Sequence, residues 1–375
     1  MTHHTVLVVE PFYGGSHQAW VDGWQHNSRH QIHIISHGGE AWRWRMRGGA
    51  VTLADEVIEW VRVNGRPDLV VGTDMLDMAA LLGLSRRALG SVPSVIYMHE
   101  NQLSYPRQPG EPLDQGLAWA NWRSLVAADE IWCNSSFHRE SLLEALPDFL
   151  QAAPDHHHGH LLQEVGRKMC VCPVGLDAVR LSAADRLTTV GPPLVLSNQR
   201  WHHDKDVGAV LRALGRLAGE GLEFEVAVIG DDAGGEREAL APLIDKLGGR
   251  VCFRGHLPRP EYEEVLKRSD VVVSAARNEF FGIAVAEAVA AGAWPVLPAA
   301  LAYPELIPEE FHQVSLYQPG DLTRRLRETI DAIGTDREAI AGLAHSMVRF
   351  DWSEVGVHYD DRIDRLVRIG GPFTN

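Results

Sequence analysis

Short apolar runs alternate along the chain with stretches of helical periodicity, a pattern that predicts parallel α/β units. One set of predicted strands is Val6–Glu10, Gln31–Ser36, Leu69–Thr73, Val95–His99, Glu130–Asn134 and Met169–Cys172. A second set is Pro193–Ser197, Glu225–Gly230, Val251–Gly255, Val271–Ser274 and Trp294–Leu297. Between them lies Pro173–Pro193, rich in Pro, Gly, Ala, Ser and Thr and weakly periodic, which predicts a linker. No internal repeat is visible. The pattern predicts two similar domains, 1–175 and 176–350, facing each other across a cleft. A final helix follows, with Asp351 or Ser353 as its N-cap, running to Val367.

Length and composition agree with this division. The 375 residues exceed one typical domain, and 45% apolar residues suffice for two cores. The apolar runs are too short to span a bilayer, and the start Met1-Thr2-His3-His4 lacks the regions of a signal peptide, so a soluble cytoplasmic protein without membrane contact is expected. The four cysteines, at 133, 170, 172 and 252, form no plausible disulfide framework in a chain this long and are expected to be reduced and buried or half-buried. Strand alternation would put Cys170 and Cys172 on one face. The formal charge of 35 minus 50, or −15, excludes nucleic-acid binding through the overall field; any RNA contact must be local.

Two stretches carry candidate chemistry in the second half. Glu279 and Glu287 stand eight positions apart in Asn278-Glu279-Phe280-Phe281-Gly282-Ile283-Ala284-Val285-Ala286-Glu287, directly after a predicted strand. A strand, a Gly-bearing turn and a helix in that order present backbone N–H groups at a helix N-terminus, where a phosphate can sit. Two carboxylates bracket that place and can accept hydrogen bonds from vicinal sugar hydroxyls; an ordinary amphipathic helix with solvated glutamates is the other reading. Phe280 and Phe281 would be odd to expose there unless something packs on them. Upstream, Asn198-Gln199-Arg200-Trp201-His202-His203-Asp204-Lys205 leaves another predicted strand. Arg200 and Lys205 could neutralise a departing diphosphate, or simply be solvated cations.

The first half adds three features. Glu10-Pro11-Phe12-Tyr13-Gly14-Gly15-Ser16-His17 places a glycine pair after the first strand; it is not the Gly-x-Gly-x-x-Gly dinucleotide fingerprint, which weighs against an oxidoreductase. Gly14 and Gly15 would let backbone approach a ligand, or serve a tight turn. His99-Glu100-Asn101-Gln102 clusters polar side chains where a strand ends, the edge at which α/β folds build sites. Arg43, Arg45 and Arg47 alternate with Trp42, Trp44 and Met46. Cations with adjacent indoles suit RNA, whereas a half-buried amphipathic strand or internal Trp–Arg stacking would explain them without it.

Taken in order, these segments resemble the queuosine-tRNA mannosyltransferase family. Thr73-Asp74-Met75-Leu76-Asp77, Pro173-Val174-Gly175-Leu176 and Tyr303-Pro304-Glu305 belong to the same resemblance, which runs from about Thr5 to Val367. The C-terminal motifs are shared with many retaining glycosyltransferases; the N-terminal ones are specific to this family. The resemblance implies an α/β GT-B fold of two Rossmann-like domains, with residues 351–375 forming a helix that crosses back to the first. A plain C-terminal helix of the second domain is equally compatible with the residues alone. It implies transfer of mannose from GDP-mannose, with retention, to the cyclopentene diol of queuosine at the wobble position of tRNA-Asp.

By the same resemblance, Arg200 and Lys205 hold the diphosphate and Glu279 takes the mannose hydroxyls. Phe280, Phe281 and Gly282 offer amides, Glu287 takes the ribose, and Gly14, Gly15, Ser16 and Asn198 complete the donor site. His99 lies beside the anomeric carbon. His17, Arg43, Trp44, Arg45, Arg47, Asp74, Glu100, Asn101 and Gln102 meet the acceptor and tRNA. No cofactor and no metal are implied, and the histidine-rich Pro154-Asp155-His156-His157-His158-Gly159-His160 is expected to be a solvated loop rather than a metal site. Two alternatives stay open: a retaining glycosyltransferase using another nucleotide sugar on a small molecule or polysaccharide, and a non-catalytic module binding tRNA or a sugar nucleotide.

Overall fold

The computed structural model describes residues 3–107, 110, 112–182, 191–232, 234–333 and 337–369. Two compact units emerge. One runs to Gly175 and resumes at Trp352; the other is Leu176–Asp351. Each carries a six-stranded parallel sheet with helices around it.

In the first unit the strands are β1 (Thr5–Tyr13), β2 (Gln31–Gly38), β3 (Leu69–Thr73), β4 (Ser94–Met98), β5 (Glu130–Cys133) and β6 (Met169–Val171), in the order β2-β1-β3-β4-β5-β6. Every residue of β3 and β4 is buried, because crossover helices cover both faces of a parallel sheet. In the second unit they are β7 (Leu194–Ser197), β8 (Glu225–Ile229), β9 (Val251–Gly255), β10 (Val271–Val273), β11 (Trp294–Pro298) and β12 (Leu316–Tyr317), in the order β12-β11-β10-β7-β8-β9. Eleven of these match the predicted strands apart from their ends; β12, two residues long, carries no periodic signal. Each sheet reverses direction of growth once, between β1 and β3 in the first and between β7 and β10 in the second. Loops diverge at such a point, leaving a crevice beyond the carboxyl ends of the strands.

Three expectations need correction. Trp42–Arg47 is not the half-buried strand offered as one reading but the opening of a helix, Trp42–Asn64, entered through Ala41 at φ 50°. Cys252 is exposed on edge strand β9 rather than buried, whereas Cys133 and Cys172 are buried and Cys170 is half-buried. The predicted linker contains a short helix, Ala178–Ser182, and its residues 183–190 lie outside the described residues. Cys170 and Cys172 do share a face, with their sulfurs 3.8 Å apart.

The final helix, Trp352–Ile369, packs within the first unit. Tyr359 accepts from the Trp20 indole N–H at 3.1 Å and donates to the Pro173 carbonyl at 2.6 Å. The Trp352 indole lies where a Cβ on Gly23 or Gly175 would approach to 2.4 or 2.3 Å, so both positions require glycine. Arg29 adds ion pairs to Asp361 and Asp364.

Candidate active site

In the second unit, the loops after β7 and β10 bring Arg200, Lys205 and Glu279 to the reversal point of the sheet. Lys205 is buried, donating to the Asn278 carbonyl at 2.7 Å and to Glu279 at 3.1 Å, with Asp204 at 3.5 Å. Asp204 is fully buried; burial alone would raise its pKa, but the hydrogen bond from His202 and the charges of Lys205 and Arg200 hold it at about 2. Two cations therefore meet two carboxylates, and only Arg200 extends well into solvent, 52% exposed and 3.9 Å from Asp204.

Gly282, at φ 95°, is the N-cap of the helix Ile283–Ala290, a backbone shape that suits glycine. Phe280 and Phe281 are buried, and Phe281 packs edge-on against Phe350 at 5.2 Å, so the aromatic pair anchors the loop. The Phe281 N–H approaches Glu279 at 3.5 Å. Glu287 accepts from Arg259 at 2.7 Å and from the Tyr262 hydroxyl at 3.1 Å, and burial pushes its pKa up. Asn198 donates to Tyr262 at 3.0 Å and to the Ala284 carbonyl at 2.8 Å, which makes it a strut between β7 and that helix. Sequence reasoning missed Arg259 and Tyr262 because their partners Glu287 and Asn198 are distant in the chain, and it missed Asp204 because nothing local distinguishes a buried acid from a solvated one.

In the first unit, the carboxyl ends of β1, β3 and β4 gather Glu10, His17, Asp74 and His99. Gly14 and Gly39 are in close contact, a Cβ on Gly14 falling 3.0 Å from the Gly39 Cα, and Gly15 at φ 55° faces open space beside exposed Ser16. The rings of His17 and His99 are in contact, with centroids 4.0 Å apart and planes tilted by 38°. Asp74 is buried and accepts from the His99 backbone N–H at 2.8 Å. Burial, opposed by the nearby His17, raises the Asp74 pKa. Burial, helped by the positive fields of His17 and His138, holds the His99 pKa well below its usual value.

The other predicted acceptor residues divide. Asn101 is fully buried and its carbonyl oxygen accepts from the Leu103 and Ser104 amides and the Ser104 hydroxyl, so it shapes the turn after β4. Gln102 lies 3.4 Å from Glu100, and its backbone is tied to Asn121. At the helix opening, Arg43, Trp44 and Arg47 are exposed, Trp44 by 64%; Arg45 is only partly so, and the Met46 beside it is buried. Arg43 stacks on Trp42 at 4.6 Å and Arg47 pairs with Asp114. The basic surface is thus one side of a helix and narrower than three alternating arginines suggested.

Among the described residues, one group could hold a metal by distance: Glu10, His17 and His99, with ligand atoms within 4.8 Å of one another. The histidine-rich loop does not converge in this way, nor is it wholly solvated. His158 is half-buried, accepts from the Trp122 indole at 3.0 Å and stacks on that ring.

Residues 5–176 match the family described as tRNA-queuosine alpha-mannosyltransferase, N-terminal, and residues 182–342 match glycosyl transferases group 1. A tRNA-queuosine alpha-mannosyltransferase of Drosophila melanogaster is 31% identical over 335 residues, covering 86% of this chain and 85% of the relative. The chain belongs to the tRNA-queuosine alpha-mannosyltransferase family. As a member of that family it is a glycosyltransferase, and its fold is GT-B. Sucrose-phosphate synthase from Thermosynechococcus elongatus superposes with a TM-score of 0.73 at 14% identity, covering 97% of this chain and 100% of that one. The catalytic domain of starch synthase IV from Arabidopsis thaliana, bound to ADP and acarbose, gives 0.74 at 12%, covering 98% and 100%. At such identities these two speak for the fold alone. No helix among the described residues is long and apolar enough to cross a membrane.

Proposed function

We propose that this protein transfers mannose from GDP-mannose, with retention, to the cyclopentene diol of queuosine at the wobble position of tRNA-Asp. Family membership supports the acceptor, and the observation that carries the chemistry is the Arg200–Lys205–Glu279 cluster at the β7/β10 reversal. In this reading Arg200 and Lys205 stabilise charge on the departing diphosphate, Glu279 orients the mannose and Glu287 the ribose. The queuosine hydroxyl attacks C1 from the face the phosphate leaves, its proton passing to a phosphate oxygen, so no enzyme nucleophile and no metal enter. His99 orients the attacking hydroxyl, and Arg43, Trp44 and Arg47 supply the local contact with RNA that a chain of charge −15 requires.

The test is to incubate the protein with GDP-mannose and total tRNA, with or without queuosine, and to analyse nucleosides by mass spectrometry. Mannosyl-queuosine formed only in queuosine-bearing tRNA-Asp is the expected result. Transfer from GDP-mannose to a small molecule or polysaccharide, with none to tRNA, would replace this reading with the broader one.

A further inference from the structure

Trp44 is 64% exposed, yet its indole has a fixed seat. A Cβ built on Gly48, one turn further along the same helix, falls 2.9, 3.1 and 3.2 Å from the Cζ2, Cη2 and Cε2 atoms of that indole. Nearly equal distances to three bonded carbons place the point over the ring rather than beyond its edge. One face of Trp44 therefore lies on Gly48, which has no side chain to lift it, and the opposite face meets solvent. A real Cβ there would sit inside the roughly 3.5–4.0 Å at which carbons pack, so any larger residue tilts the ring. Glycine is also among the poorest residues for a helix interior, so Gly48 weakens the helix that it shapes.

The charges around this ring decide what its open face fits. Arg43 stacks on Trp42 at 4.6 Å, and Arg47 forms an exposed ion pair with Asp114, which a phosphate can replace at little cost. Later in the helix Asp55, Glu56 and Glu59 are exposed and repel a phosphate backbone. What remains is Trp42–Gly48, about 10 Å of helix. That is far short of the roughly 16 base pairs spanned by a reader of double-stranded RNA, and enough for one unstacked base with its flanking phosphates. The same stretch adjoins the acceptor end of the first unit. Trp42 and Phe12 pack on the buried cluster of Met46, Met75 and Leu117, and Phe12 meets the His17 ring edge-on at 5.8 Å.

We infer that Trp44, seated on Gly48, is a stacking platform for one unpaired base of the tRNA anticodon loop, and that Gly48 is the positioning residue that keeps the platform flat. The inference rests on the reading of tRNA as the acceptor and deepens it. The arginines and the indole do different work: Arg43 and Arg47 take phosphate charge, whose effect salt screens, and Trp44 takes the face of a base, whose effect salt leaves alone. Every base has such a face, so the platform selects unpaired RNA over duplex without reading sequence.

The test uses the full chain and an anticodon stem-loop RNA carrying the fluorescent base 2-aminopurine, placed in turn at the loop positions flanking the wobble nucleotide. Binding to native protein should quench one of these positions, and Trp44→Ala should abolish the quenching. Trp44→Ala should also weaken stem-loop binding by about 5- to 150-fold, the range of one base–aromatic stack, with the slope of log affinity against log salt and KM for GDP-mannose both unchanged. Trp44→Phe should recover part of the affinity. Gly48→Ala should weaken binding by at least about 5-fold while Tm holds or rises, because alanine suits a helix better than glycine; a merely structural role would move affinity and Tm together. Full affinity in folded Trp44→Ala or Gly48→Ala overturns the inference. So does a salt slope that falls in Trp44→Ala, an absence of quenching at every position, a fully paired duplex that loses as much affinity as the stem-loop, or a native protein that does not bind the stem-loop. If native protein binds it but gives no mannosyl-queuosine, the proposed function fails, and the stem-loop titrations still decide whether Trp44 stacks on a base.

Discussion

Arg200→Ala and Lys205→Ala remove one positive charge each from the same loop, but from different environments. Arg200 is 52% exposed and lies 3.9 Å from Asp204, and such a pair screened by water contributes well under about 1 kcal/mol to stability. Lys205 is 8% exposed and engages the Asn278 carbonyl, Glu279 and the fully buried Asp204. Taking one partner from a buried pair costs about 3–5 kcal/mol, because the remaining charge is left uncompensated. For a unit of this size, at roughly 2–4 °C per kcal/mol, Lys205→Ala should lower Tm by about 6–20 °C, and Arg200→Ala should leave it unchanged. In transfer the two should converge. Losing one contact to charge that develops in the transition state costs about 2.7–4 kcal/mol, or about 100- to 1000-fold in kcat. Differential scanning fluorimetry and single-turnover transfer at a temperature where both variants are folded provide the two readings. Near-normal turnover in folded Arg200→Ala would refute a diphosphate site here, whatever Lys205→Ala does.

Glu287→Ala should raise KM for GDP-mannose by about 10- to 100-fold with kcat little changed, since hydrogen bonds to a charged group contribute about 1.5–3 kcal/mol; initial-rate kinetics with varied donor checks it. Replacing Arg43 and Arg47 by serine should raise KM for tRNA and leave that for GDP-mannose alone. It should also reduce the slope of log affinity against log salt by about 0.7–0.9 per lost phosphate contact, measured by filter binding over a salt series. Activity should survive exhaustive EDTA treatment, because Arg200, Lys205 and loop amides supply the positive field; loss of turnover restored only by a divalent ion would point to Glu10, His17 and His99.

Most of the fold could be read because parallel strands covered on both faces leave apolar runs in the sequence. The site could be read in part. Arg200, Lys205 and Glu279 sit where strands end, a local signal, and they do come together although Lys205 and Glu279 are 74 positions apart. Glu10 could not be found this way: an acid at a strand end looks the same whether solvated or enclosed, and enclosure comes from Phe12, Thr73 and His17 folding over it. The burial of Asn101 was not legible for the converse reason, since a polar residue after a strand serves a turn as readily as a ligand. The arginine segment showed alternation, yet helical geometry turns Arg45 partly away from Arg43 and Arg47. Phe280 and Phe281 were read as a surface waiting for a partner, and Phe350 turned out to cover Phe281 from within the second unit.

The Trp352 indole, fitted against Gly23 and Gly175, makes the order of synthesis matter. Residues up to Gly175 leave the ribosome long before the helix that completes their core. At about 5–20 residues per second, the wait until Ile369 appears is on the order of 10–40 s. Throughout it Trp20, Trp24 and the Pro173 carbonyl lack their Tyr359 partner, so the nascent first unit exposes an aromatic cleft while the second can already fold. A nonsense codon in place of Trp352 would therefore spare every proposed donor residue and still cripple the protein through its earliest-made half, leaving open a surface that only the chain's own later helix closes.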